Sequence, residues 1–75
     1  MDITTLYNGV IESLRAKGFN ENAEALERQL AGAATGGEGL SATAGYLLQL
    51  KKSQSRAYYS SAAAIDQYLA LAYKS

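Results

Sequence analysis

Cysteine and histidine are both missing from the chain, and the two absences remove most enzymatic chemistry at once. Without thiols there is neither a disulfide framework nor a thiolate metal site, and nothing calls for an oxidising compartment. Without imidazole there is no Ser-His triad, no Cys-His pair and no histidine-ligated metal. Charge of one sign is also lacking: seven Lys and Arg balance seven Asp and Glu. That balance argues against strong electrostatic capture of nucleic acid. No stretch approaches the roughly 18 apolar residues of a membrane span. The start, Met1-Asp2-Ile3-Thr4-Thr5, has neither the basic region nor the apolar run of a secretory leader. The expectation is a cytoplasmic protein with no cofactor, no metal and no membrane partner.

What remains is a small helical chain. Seventy-five residues make one domain, residues 1–75, near the lower size limit for folding without disulfide or metal staples. Of the 48% hydrophobic residues, many are alanine, which buries little area. At about 25 cal/mol per Å² of apolar surface, such a core only narrowly offsets chain entropy, so association would help. The halves differ in charge. Before residue 39, Asp2, Glu12, Glu21, Glu24, Glu27 and Glu38 outweigh Arg15, Lys17 and Arg28; after it, Lys51, Lys52, Arg56 and Lys74 face only Asp66. The pattern suggests an acidic helical hairpin packed beside a basic one.

Ile3, Leu6, Tyr7, Val10, Ile11 and Leu14 recur at helical spacing, with Asp2 placed to cap the first turn. Arg15 and Lys17 suit the negative end of the helix dipole, and Gly18 can take the left-handed conformation that stops the helix. Asn20 then caps a second helix whose inner face is Ala23, Leu26 and Leu30, joined by Ala33 or Ala34. Glu21, Glu24 and Glu27 fall opposite that face and read as solvated rather than as a carboxylate site.

The segment Gly32 to Gly39 invites a phosphate-loop reading and fails it. Glu38 and Gly39 stand where such a loop needs Lys and then Ser or Thr, and a carboxylate there repels phosphate. Gly37-Glu38-Gly39-Leu40-Ser41-Ala42 fits a dinucleotide pattern by letters alone, without the preceding strand. Thr35 and Glu38 instead form a capping-box pattern for a third helix, with Ser41 as an alternative start. Its inner face is Leu40, Ala44, Leu47 and Leu48, with Lys51 at the edge; Gly45 allows a neighbouring backbone to come close. Lys51-Lys52-Ser53-Gln54-Ser55 holds neither Gly nor Pro, yet is polar enough for a turn near Ser53; the alternative is one long rod over residues 41–74, roughly 50 Å at 1.5 Å per residue.

The final stretch, Ala57 to Lys74, carries two apolar stripes. Tyr58, Ala62, Ile65, Leu69 and Ala72 form one; Tyr59, Ala63, Asp66, Ala70 and Tyr73 form the other. A helix apolar on nearly all sides is buried on several sides. The first stripe predicts core. The second predicts a contact strip: small residues permit close approach, tyrosines anchor its ends, and Asp66 sets alignment. Within its own chain, Asp66 is expected to accept a hydrogen bond from a tyrosine or to pair with a base. Lys51, Lys52 and Arg56 beside Tyr58-Tyr59 could touch a nucleic-acid backbone, although a solvated helix end accounts for them better.

The expected fold is therefore all-α, a small antiparallel bundle of three to four helices built from two hairpins. The expected function is binding rather than catalysis. The chain would be an adaptor, regulator or neutralising partner, meeting a second copy or another protein through its last helix. The alternatives are a weak nucleic-acid-binding regulator and a small-ligand carrier with a cavity between alanine-rich helices.

Overall fold

The computed structural model describes residues 2–31 and 36–73, with side chains in the second segment from Ser41 onward. They form five helices: α1 (Ile3–Ala16), α2 (Asn20–Ala31), α3 (Gly36–Lys52), α4 (Arg56–Ser60) and α5 (Ala62–Ala72). The architecture is a small all-α bundle. Helices α1, α2, α3 and α5 pack in a closed ring, each touching the next, and short α4 sits against α1, α3 and α5. The accessible surface is 4597 Å², close to the roughly 4450 Å² expected of a folded monomer of this mass. The fold therefore closes on itself before any association.

Helix α1 begins as its sequence predicts. The Thr5 N–H donates to the Asp2 carboxylate at 2.9 Å, and this bond holds the Asp2 carboxyl below its usual range. Tyr7, Val10, Ile11 and Leu14 are buried, and Ile3 and Leu6 pack at the margin. At the other end Gly18 has φ 89°. Its N–H bonds the Arg15 carbonyl and the Phe19 N–H bonds the Leu14 carbonyl, the paired closure of a Schellman motif. This closure corrects the placing of the α2 cap. Phe19 is committed to α1 through its N–H and to α2 through its carbonyl, which accepts from Ala23 N–H at 3.1 Å. Asn20 is consequently the first residue inside α2, not its cap.

The same closure recurs after α3, with a difference. Gln54 N–H bonds the Lys51 carbonyl and Ser55 N–H bonds the Leu50 carbonyl, while Gln54 takes φ 56°. A side chain in the left-handed region costs about 1 kcal/mol or more, which glycine does not incur. Gln54→Gly is expected to raise the melting temperature by about 5 °C, equivalent to about 1 kcal/mol in a domain of this size. Thermal denaturation followed by circular dichroism checks this; a lowered midpoint would contradict it. Ser55 then caps α4, accepting from Ala57 N–H at 3.2 Å. The turn near Ser53 is thus present.

The final stretch is where the helix count changes. It is not one helix from Ala57 to Lys74 but two, broken at Ser61, whose φ of −133° and ψ of 31° lie outside the helix. Five helices replace the expected three to four among the described residues. Two tertiary features accompany the break. Ser61 and Ser13 hydroxyls share a hydrogen bond of 2.7 Å, and Ala57 and Tyr58 of α4 enter the core.

The core comprises Tyr7, Val10, Ile11, Leu14, Ala23, Leu26, Ala44, Leu47, Ala57, Tyr58, Ile65, Tyr68 and Leu69. Tyr68 and Thr43 are fully buried and hydrogen-bonded through their hydroxyls. Tyr7 meets Tyr68 at 6.4 Å between ring centroids. Among the described residues, every buried side-chain N or O atom has a hydrogen-bond partner. Two expectations fail here. Leu30 is 36% exposed, because it lies one turn beyond Leu26 at the outer end of α2. Beyond its own stretch of helix, Gly45 has no atom of the described residues within 4 Å of where a Cβ would stand, so no neighbouring helix among them comes close there. Ala33, Ala34 and Thr35, and the side chain of Leu40, fall outside the described residues.

Candidate functional site

The second stripe of the final stretch is the outer surface of the bundle. Ala63, Asp66 and Ala70 of α5 are exposed, with Tyr73 just past its last turn 56% exposed and Tyr59 of α4 61% exposed. With Leu30, these two tyrosines are the exposed large hydrophobics among the described residues. The inner stripe is buried at Tyr58, Ile65 and Leu69, and partly buried at Ala62 and Ala72. The division between the stripes follows from helical periodicity: α1 and α3 cover one side of α5, while Ala63, Asp66 and Ala70 on the other stay exposed among the described residues.

Within the strip the residues are not equivalent. Ala63, Asp66, Ala70 and Tyr73 share the α5 face, whereas Tyr59 belongs to α4 and lies across the Ser61 break. Gln67 is exposed on the same side as Asp66, a neighbour that apolar periodicity alone does not flag. Tyr59 stacks edge-on against Tyr58, ring centroids 5.3 Å apart.

Asp66 has intrachain partners. The Tyr58 hydroxyl donates to its two carboxylate oxygens at 2.9 and 3.1 Å, and Lys51 Nζ lies 3.3 Å from Oδ1. This cluster ties α3, α4 and α5 together. The hydrogen bond to Asp66, followed by burial, pushes the Tyr58 phenol above its usual range.

The basic group is accordingly reduced. Lys51, Lys52 and Arg56 are all exposed across the α3–α4 turn, but Lys51 is paired with Asp66. A second ion pair, Arg15 with Glu27, also lies within one half of the chain. Among the described residues, the charge asymmetry between halves is therefore not resolved by pairing across them. Neighbouring helices within each half supply the nearest partners.

Glu21 and Glu24 are solvent-exposed, as is Glu27. Among the described residues no three Asp or Glu side chains converge to hold a metal ion. A depression lined by Gly18, Phe19, Asn20, Glu21 and Asn22 opens at the α1–α2 corner. Among the described residues no helix is long and apolar enough to cross a membrane. No protein-family model, curated protein or solved structure matches the chain.

Proposed function

We propose that this chain is a protein-interaction module that associates with a second copy of itself through the outer face of α5. The observation that supports this most is the exposure of Tyr59 and Tyr73, at 61% and 56%, on either side of a face with small residues at Ala63 and Ala70. Tyrosine combines large contact area with a hydrogen-bonding tip and is enriched at interfaces. The order of residues on the face favours self-pairing. It reads Ala63, Asp66, Gln67, Ala70 in one direction and the same residue types, with Asp and Gln exchanged, in the other. Two antiparallel α5 helices would set Ala63 against Ala70 of the second copy and Asp66 against its Gln67. Such reciprocity is what a two-fold interface requires. The small residues let the helices approach closely, and the central polar pair fixes the register.

Because the monomer already hides a normal share of its surface, the association is one between folded partners rather than an obligate one. Ala70→Glu places two carboxylates beside the opposed alanines and should convert an assembled species to monomer. Size-exclusion chromatography coupled to light scattering reads the mass directly. A wild-type chain that is monomeric up to millimolar concentration, or a variant of unchanged mass, would defeat the reading. Nucleic-acid binding through Lys52 and Arg56 is disfavoured, since Lys51 is engaged and two cations offer few phosphate contacts.

A further inference from the structure

The break at Ser61 is at odds with its own sequence. From Arg56 to Ala72 there is neither glycine nor proline, both stripes keep helical spacing across residues 59–63, and alanine, the strongest helix former, is abundant. The local feature at the break is a serine pair, with the Ser60 hydroxyl donating to the Ala57 carbonyl at 2.8 Å; a serine so placed bends a helix without ending it, and the surrounding fold completes the break. Ser61 itself makes no side-chain cap to α5, and its hydroxyl reaches Ser13 of α1 instead.

The Tyr58–Asp66 contact requires the break. In a continuous helix two residues eight positions apart are separated by about 12 Å of rise. Tyr58 would also lean toward the amino end, away from Asp66. Its hydroxyl could not then bond both carboxylate oxygens, as it does here. The contact therefore exists in the broken form alone.

We propose that the Tyr58–Asp66 bond is a clamp holding α4 folded back, and that its release lets α4 and α5 fuse into one helix spanning residues 56–72. Fusion withdraws Ala57 and Tyr58 from the core, so the clamped form dominates in the isolated chain. Fusion also frees Asp66 from Tyr58 and brings Tyr59 into line with Ala63, Asp66, Ala70 and Tyr73 on one helical face. The clamp itself stands on the intrachain geometry. Its value for assembly rests on the self-association proposed above, where the fused form would present the longer contact strip.

The test is backbone NMR of residues 59–62 in the full chain. Tyr58→Phe keeps the ring and deletes the bond; Tyr58→Phe with Ser61→Ala also removes the Ser61–Ser13 hydrogen bond and adds helix propensity at the break. The fused population should rise about tenfold in the first variant, the fold-change that corresponds to one hydrogen bond to a charged group, and further in the second. It is read as a move of the Ser61 carbon shifts toward helical values. Ser61→Gly combined with Tyr58→Phe should reverse the move. Resonances of α1 and α2 that stay in place show that each variant is folded. Ser61 shifts at their wild-type positions in both Tyr58→Phe and the Ser61→Ala double variant would overturn the clamp. Helical shifts in a chain that stays monomeric up to millimolar concentration would uphold the clamp and sink the self-association reading. A wild-type dimer with no helical shifts in either variant would do the reverse.

Discussion

Leu26→Ala should cost about 3 kcal/mol, the largest loss expected from any single truncation on α2. Ala23 and Leu26 are the two buried residues of that helix, so Leu26 is the one large side chain it places wholly in the core. A domain of this length is stable by only about 4–11 kcal/mol, and the variant forfeits a substantial part of that. Leu30→Ala is the control. It lies one turn away on the same helix and is partly exposed, so its cost should stay within about 1 kcal/mol. Urea denaturation followed by circular dichroism separates the two. Equal midpoints for the two variants would show that the inner face of α2 has been misplaced.

Raising the pH beyond about 10, where tyrosine ionises in an unfolded chain, should melt the helices. Burial pushes the Tyr7 phenol up, with the nearby Glu27 charge adding to it. Burial also pushes Tyr68 up against the opposing effect of the Thr43 hydrogen bond, and the bond to Asp66 is the chief cause at Tyr58. Each group holds its proton more tightly folded than unfolded. Above the unfolded value the unfolded state binds fewer protons, so stability falls as pH rises. The contribution is complete below that pH and is lost as pH climbs through the folded values. Asp2 works in the opposite sense, stabilising above its unfolded value and ceasing to do so in acid. Loss of ellipticity in alkali should coincide with a late step in tyrosinate absorbance. Ionisation of all six tyrosines with the helices intact would refute the assignment.

Much of the bundle is legible in the residues, because it rests on local signals. Asp2 caps α1, Gly18 ends it, and spacing alone places Tyr7, Val10, Ile11 and Leu14 in the core. The inner stripe of α5 is equally plain. What escapes periodicity is tertiary. Ser60-Ser61 is a weak breaking signal, and contacts from α1 and α3, through Ser13 and Lys51, accompany the break. Gln54 gives no hint of a left-handed turn, since the usual marker there is glycine. Leu30 and Leu26 have the same character in sequence; only the position of the helix end distinguishes them. The exposed strip was readable as a pattern, but its division between α4 and α5 was not.

The packing of α1 on α5 has a consequence for the making of the chain. Val10 and Leu14, fully buried in the finished fold, have no complete set of neighbours until the last helix leaves the ribosome. The first hairpin must therefore wait, its apolar face bare, while the remainder is synthesised. Closing the ring then requires α5, and a nascent chain stalled before α5 would be a substrate for chaperones and proteases.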